Sequence, residues 1–207
     1  TILSAVKKRG HRILGYGLPA ILVVGAVLAA VAFAARSGND GSQPPRAVPV
    51  AAPGSPARFA VLSRASSNQC GLFPSALSRF ARNGRLQGSC CSRMDLHRYR
   101  EQVAGLRRFV AVPEIPRDPY DVPVALAKRL IAYDARIELT GAQQPAYDRA
   151  MKLSEEGGPC CCRCWRWTAF GGQAKFLIAR RGYGAKQIAE VWELEDGCGG
   201  TGHSHTS

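Results

Sequence analysis

The sequence lacks the motifs of the common hydrolases and nucleotide-binding enzymes. It contains no Gly-x-Ser-x-Gly turn, no phosphate-binding loop and no His-Glu-x-x-His helix. Histidine is scarce, with 4 in 207 residues, and only His97 lies inside the region predicted to fold. Because a cysteine nucleophile needs a histidine base nearby, a thiol hydrolase is disfavoured. We therefore predict that the chain is not an enzyme.

Acidic residues are few compared with basic ones. The chain has 15 Asp and Glu against 28 Lys and Arg, for a formal net charge of +13. Aromatic residues make up 8% of the chain and do not interleave with the basic ones in a base-stacking pattern. This composition predicts a solvated basic surface, with contact to anionic lipid headgroups or an acidic partner as the alternative. It predicts no nucleic acid and no small-molecule substrate.

Residues 13–35 form a long run without a charged side chain and consist mostly of Ala, Val, Leu and Gly. A run of this length spans a bilayer as a helix. Lys7, Lys8, Arg9 and Arg12 precede it, so the positive-inside rule leaves residues 1–12 in the cytosol. The prediction is a single-pass cell-membrane protein whose main domain is extracytoplasmic. A cleaved secretory peptide, with a small-x-small site at residues 32–34, is the alternative.

The next segment, residues 36–58, is rich in Pro, Ala, Gly and Ser, and its closely spaced prolines exclude a helix or sheet interior. This composition is typical of a semi-rigid linker. A cysteine-rich domain over residues 59–200 follows, and residues 201–207 form a tail that contains His203 and His205.

Apolar periodicity predicts an all-α fold for this domain. One helix face is marked by spacings of three and four residues at Leu96, Tyr99, Val103, Leu106 and Val110. Ser92 and Asp95 resemble a capping box at its start. Further helices are predicted over residues 73–83, 144–155, 163–181 and 184–196, and from residue 121 onward with Pro123 in the first turn. Gly171-Gly172 inside one of them predicts a kink or a close helix contact. No alternating pattern longer than four residues indicates a strand.

Cysteine is concentrated in two places. Four of the eight cysteines lie within residues 160–164, and Cys90-Cys91 form a vicinal pair. Cys70 and Cys198 stand alone. Both concentrations precede predicted helices, whose positive N-terminal ends favour thiolate. In an extended segment the side chains of residues 160, 162 and 164 point to one side. The pattern indicates either a metal site or a disulfide framework.

Clustered thiolates favour soft metals, so the metal-site hypothesis names copper(I) or zinc. The proposed ligands are Cys160, Cys162 and Cys164, with Cys161, Cys90 and Cys91 as a second shell or second site. Met94 and His97 lie near the vicinal pair, but packing and an exposed polar role are the simpler interpretations. Trp165 follows Cys161-x-x-Cys164 where a haem c motif needs histidine, and paired zinc-ribbon knuckles are absent.

Two alternatives stay open at this point. An extracytoplasmic location favours oxidation, so four disulfides would staple an interaction module of a membrane complex. In a mixed case Cys70 pairs with Cys198 while the clusters stay free. The Cys161-x-x-Cys164 pair also suits a thiol–disulfide oxidoreductase, although no thioredoxin-like βαβ pattern accompanies it.

Residues 159–164, Pro-Cys-Cys-Cys-Arg-Cys, resemble the signature of the bacterial PCYCGC-motif proteins. Pro159, Cys160, Cys162 and Cys164 match it, while Cys161 replaces its tyrosine and Arg163 its glycine. Residues 184–189 look similar to the closing helix of that family, although the chain has no lipobox cysteine. The resemblance implies a membrane-anchored extracytoplasmic protein with metal-binding cysteines. Together these features predict a tethered protein that holds Cu(I) near the membrane or delivers it to a protein partner.

Overall fold

The computed structural model of this chain describes residues 50–200. The predicted membrane segment at residues 13–35, the tail at residues 1–12, most of the predicted linker, and His203 and His205 lie outside the described residues. Within residues 50–200 no helix has the length and apolar character needed to span a bilayer.

Helices dominate the described part of the chain, as the periodicity predicted. Six α-helices follow one another: α1 Pro56–Leu62, α2 Leu96–Leu106, α3 Val124–Arg136, α4 Gln144–Leu153, α5 Trp165–Arg181 and α6 Ala185–Glu195. Two short 3-10 helices, Pro74–Arg79 and Arg107–Phe109, and two short strands, β1 Arg85–Gln87 and β2 Asp121–Pro123, complete the order.

The centre of the core is the contact between α3 and α5. Leu130 on α3 and Phe170 and Leu177 on α5 are fully buried. A Cβ at Gly172 would overlap the Leu130 carbonyl and the Asp134 backbone, so the glycine lets the two helices approach closely. The glycine pair therefore marks the predicted close helix contact. Helix α5 continues without interruption through it.

A small antiparallel sheet corrects the prediction that the domain contains helices alone. Strand β1 pairs with β2, with Leu86 opposite Val122, and both side chains are fully buried. Residue 121 therefore begins a strand, and the helix predicted there starts at Val124. Three-residue strands are too short to show a period of two, so the sequence pattern did not reveal this pairing.

Other helix limits also differ from the predictions. Residues 74–79 form a 3-10 helix inside the segment predicted as α-helix. Asp95 caps α2 by accepting a hydrogen bond from the Arg98 backbone N–H at 2.8 Å, so the cap predicted at Ser92 is wrong. Cys90 and Cys91 consequently lie in a loop that ends at Asp95, farther from α2 than expected.

An ion-pair cluster of three buried residues, Arg58, Asp118 and Asp121, with the exposed Arg85 joins α1 to the sheet. The Asp121 carboxylate accepts from the guanidinium groups of both Arg58 and Arg85. Arg58 Nε also lies 3.9 Å from Asp118, and Tyr99 donates to the same Asp118 oxygen at 2.6 Å. Burial raises the pKa of Asp118. Each carboxylate in this cluster is matched by protein donors.

Candidate metal site

All eight cysteines of the chain gather in one place, which we call the thiol cluster. They come from four separate segments: the loop after α1, the loop between β1 and α2, the loop between α4 and α5, and the segment after α6. In that order the segments contribute Cys70, Cys90 with Cys91, Cys160 to Cys162 with Cys164, and Cys198.

The sulfur atoms of the thiol cluster lie at van der Waals or hydrogen-bonding distances. The sulfur atoms of Cys91 and Cys161 are in close contact, with an Sγ to Sγ distance of 3.3 Å. Cys160 is a hub, with its Sγ 3.6 Å from that of Cys198, 3.9 Å from that of Cys164 and 4.0 Å from that of Cys162. Cys90 is the second hub, 3.5 Å from Cys91 and 3.7 Å from Cys198.

None of these cysteines is in a disulfide, since all eight are free thiols. The 3.3 Å contact is well beyond the S–S bond length of about 2.05 Å. The suggested pairing of Cys70 with Cys198 is not found. Both residues are instead close to Cys90, because the Cys70 thiol donates to the Cys90 carbonyl at 3.1 Å and Cys198 contacts the Cys90 sulfur.

Asn68 holds three of the segments together. It is fully buried, and its side-chain N–H donates to the Gly88 carbonyl at 2.9 Å. Its side-chain oxygen accepts from the indole N–H of Trp165 at 2.8 Å. A backbone bond from Trp165 to the Leu72 carbonyl, also 2.8 Å, lies beside it. These bonds fix the Cys70 loop against the start of α5 and against the strand that leads to Cys90.

The segment after α6 is held by backbone pairing with the Cys90 loop. Cys90 N–H donates to the Gly197 carbonyl at 3.0 Å, and Ser92 N–H donates to the Cys198 carbonyl at 2.8 Å. Gly199 has φ of +83°, and a Cβ there would overlap Ser89 and Ser92. Glycine is therefore required where Cys198 enters the cluster.

The third loop carries five residues, 160–164, into the N-terminus of α5. Ser154 anchors the preceding turn by donating to the Gly158 carbonyl at 2.6 Å. Cys164 is the N-cap residue of α5, and the helix begins at Trp165, four residues after Cys161. The cluster thus lies at the positive end of a 17-residue helix, which favours negative charge on sulfur.

The thiol cluster has a buried side and an open side. Cys160, Cys164 and Cys198 are buried, whereas Cys91 and Cys161 are exposed. A cleft of about 300 Å³ opens beside the exposed side and is lined by Cys91, Cys198 and the carboxylates of Glu155, Glu156, Glu193 and Asp196, among others. Carboxylates at such an opening attract cations toward the sulfurs.

Hydrogen bonds between thiols distribute the negative charge unevenly. The Cys164 thiol donates to Cys160 and lowers the pKa of Cys160 to about 7. Hydrogen bonds from Cys160 and Cys90 lower the pKa of Cys198 to about 7 as well. The Cys90 thiol acts as a donor to Cys160, Cys164 and Cys198, and these hydrogen bonds raise its own pKa. The first thiolate therefore forms within the buried pair Cys160 and Cys198, whose contacting sulfurs share a proton.

The remaining thiols hold their protons more firmly. Burial raises the pKa of Cys91 and that of Cys161 to about 12, and it raises the pKa of Cys162 as well. A cation that binds these sulfurs must displace their protons.

Arg166 supplies a positive charge from within the protein. Its side chain is fully buried and donates to the backbone carbonyls of Glu195, at 3.0 Å, and Pro119. Burial lowers the pKa of this guanidinium, but the neighbouring charge of Cys90 and Cys160 outweighs burial and the net pKa is raised. A buried arginine beside the sulfurs offsets the charge of one thiolate.

The structure brings together all six cysteines proposed as ligands, Cys90, Cys91, Cys160, Cys161, Cys162 and Cys164. It adds Cys70 and Cys198, which the sequence prediction left out as isolated residues. Gly199, which follows Cys198, is the local signal of close backbone approach, because a Cβ there would overlap the Ser92 carbonyl. Met94 packs against Tyr99 in a small core, and His97 is exposed beside Glu101.

Comparison with protein-family models, with curated proteins and with solved structures gave no match. The resemblance of residues 159–164 to the PCYCGC-motif proteins therefore stays a prediction.

Proposed function

We propose that this chain is a soft-metal-binding protein that holds or delivers Cu(I) through clustered cysteine thiolates. The single observation that carries the proposal is the convergence of eight free thiols from four segments into one cluster. Cysteines that only filled the core would be dispersed through it, because nothing in packing requires sulfur beside sulfur.

The sulfur spacing supports metal binding. With a metal–sulfur bond of about 2.3 Å, two thiolates that share a tetrahedral ion lie about 3.8 Å apart, and about 4.0 Å apart in a trigonal site. The contacts of Cys160 with Cys162, Cys164 and Cys198 range from 3.6 to 4.0 Å. Each of these pairs therefore has the spacing of two thiolates that share one ion.

The donor set favours Cu(I) over harder ions. Every group of three or more potential ligands found among the described residues consists of cysteine alone, without histidine or carboxylate. Soft thiolates select Cu(I), zinc and iron–sulfur clusters. Eight thiols in one cluster exceed the four ligands of one structural zinc site, whereas Cu(I) accepts few ligands per ion and shares thiolates readily.

The proposed location is the outer face of a membrane, with residues 13–35 as the anchor. The charge-free run and its basic flank support this part of the proposal. Protease treatment of intact cells tests it, because an extracytoplasmic domain is cleaved while a cytosolic one is protected.

The test of metal binding is a competition titration under anaerobic conditions. The full chain is titrated with Cu(I) in the presence of a coloured Cu(I) chelator, and bound metal is measured by elemental analysis. We expect copper to move from the chelator to the protein. A Cys162→Ser, Cys164→Ser double variant should bind less copper, while a Met94→Leu, His97→Ala variant should match the parent.

Two outcomes would overturn the proposal. In one, the parent leaves all copper with the chelator. In the other, the cysteine double variant binds copper as tightly as the parent. If the protein took up zinc in preference to copper, the proposed metal would change to zinc and the proposed thiol site would stand.

A thiol–disulfide exchange function is favoured by one observation. Cys91 and Cys161 are both exposed and their sulfurs lie 3.3 Å apart. Two thiols so placed can give two electrons and two protons to a disulfide substrate, which is reduced to two thiols while the Cys91–Cys161 bond forms. Here the partner of Cys161 is Cys91 from another loop, whereas Cys164 of the Cys161-x-x-Cys164 motif is buried.

Trapping separates this second function from the first. A Cys91→Ser variant should accumulate a mixed disulfide through Cys161 if the protein exchanges disulfides. Failure of both the Cys91→Ser and the Cys161→Ser variants to trap a partner would exclude exchange and leave metal binding unaffected.

A further inference from the structure

The thiols of the cluster fall into four groups within which every Sγ lies within 4.8 Å of the others. Each group contains at least three sulfurs, the number that a trigonal ion binds. The groups are Cys70, Cys90, Cys91 and Cys162; Cys90, Cys160 and Cys198; Cys91, Cys161 and Cys198; and Cys160, Cys161 and Cys162.

Each pair of groups shares one thiol. The first group shares Cys90 with the second group, Cys91 with the third and Cys162 with the fourth. The second group meets the third at Cys198 and the fourth at Cys160, and the third meets the fourth at Cys161. Six sulfurs therefore lie on the six edges of a tetrahedron whose four corners are the groups.

This connectivity is that of a cage in which four metal ions are each bound by three thiolates and each thiolate bridges two ions. We propose that the thiol cluster binds four Cu(I) ions in this way, one in each group. The proposal rests on the proposed function and specifies its stoichiometry and structure. Each bridging thiol releases its proton as its two copper bonds form.

Trigonal coordination is what distinguishes Cu(I) from zinc in this cage. Zinc in proteins takes four ligands, and three of the four groups offer three sulfurs. Only the first group has a fourth, Cys70. Cu(I) is satisfied by three thiolates, so the cage saturates four Cu(I) ions without a further ligand.

A buried positive charge offsets half of the net charge of such a cage. Six thiolates outnumber four Cu(I) charges by two, and the buried guanidinium of Arg166 lies beside Cys90 and Cys160. Cys70 belongs to one group and Cys164 contacts Cys160 at 3.9 Å without joining a group, so neither bridges two sites.

A matched pair of single variants tests the cage. Cys161 is exposed and shared by two groups, so Cys161→Ser leaves two groups with two sulfurs each. Cys70 belongs only to the group that keeps three sulfurs without it. The full chain and both variants are titrated with Cu(I) against a chelator and measured by native mass spectrometry and X-ray absorption.

We expect the parent to fill to four copper ions, with a short copper–copper distance that only bridged ions give. Cys70→Ser should retain four ions and Cys161→Ser should fall to two. Circular dichroism of the metal-free variants checks that both are folded.

Saturation of the parent at one or two ions without a copper–copper signal would overturn the cage and leave the soft-metal function standing. Equal losses in the two variants would also overturn it. If the parent takes no copper from the chelator, the cage and the proposed function both fail.

Discussion

The ion-pair cluster around Asp121 and the thiol cluster around Cys160 both join segments that are distant in sequence, but their polar atoms are satisfied differently. In the ion-pair cluster, Asp121 accepts from two arginines and from Gln87 at 3.1 Å. In the thiol cluster the sulfurs contact mainly other sulfurs. Thiols are weak donors and weak acceptors, so they gain little from one another. The polar atoms of the first cluster are therefore satisfied by strong partners within the protein, whereas the thiols of the second have mainly weak ones.

Removing Asp121 should have the largest effect on stability. Asp121→Ala leaves Arg58, which is only 7% exposed, without its main counter-charge. Breaking a buried pair from one side costs about 3–5 kcal/mol. We expect urea denaturation to show a loss of that size, with the copper stoichiometry of the folded fraction unchanged. A change below about 1 kcal/mol would mean that solvent reaches the cluster.

Removing two hub thiols should abolish most of the stabilisation that metal confers. A ligand present at a hundredfold excess over its Kd stabilises a folded protein by about 2.7 kcal/mol. The Cys160→Ser, Cys198→Ser variant removes sulfurs from every group but the first. We expect Cu(I) to raise the melting temperature of the parent by more than that of this variant, which keeps the four thiols of the first group. Because each protein is compared with and without copper, the effect of serine on the metal-free fold cancels.

Glu195 is a buried carboxyl that belongs to neither cluster, and its protonation should make folding depend on pH. Burial raises its pKa well above the usual range. The folded state therefore keeps a proton that the unfolded state loses above about pH 4.3, and this contribution to stability declines as pH rises toward the folded pKa. Glu195→Gln should remove the decline and stabilise the protein at pH 7 by an amount on the order of 1 kcal/mol.

The measurement is the free energy of unfolding of parent and Glu195→Gln variant between pH 5 and pH 7. The difference should widen in favour of the variant as pH rises. A constant difference across the range would show that Glu195 does not titrate between the two states.

An exposed ion pair supplies the smallest expected effect. His97 Nε2 lies 3.2 Å from Glu101 Oε1, with the two side chains 85% and 53% exposed. Exposed pairs on a helix contribute about 0.5 kcal/mol or less. Glu101→Ala should change neither the unfolding free energy beyond that amount nor copper uptake. A larger loss of copper would mean that His97 takes part in metal binding.

Local patterns predicted the helices well because their information lies within a few residues. The spacing of Leu96, Tyr99 and Val103 places α2, and Gly171-Gly172 indicated the contact that Gly172 makes with α3. The strand pair was missed because the partner of Leu86 is Val122, far away along the chain. Arg58 gave no sign of burial, since charged residues are usually exposed and its counter-charge lies in another segment.

The cysteines of the candidate site likewise include some that the sequence identified and others that it did not. Cysteine density alone identified residues 160–164 and the Cys90-Cys91 pair. Cys70 and Cys198 had no neighbouring cysteine, and long-range bonds such as those of Asn68 and the pairing of Gly197 with Cys90 bring them into the cluster.

The sequence by itself determined a helical, cysteine-rich domain whose thiols outnumber what one disulfide or one core position needs. The tertiary structure decided which thiols meet, which are exposed and how they share neighbours. Periodicity and residue density are properties of short segments, whereas the four cysteine segments meet because the packing of α3 on α5 and the pairing of loops close long stretches of chain.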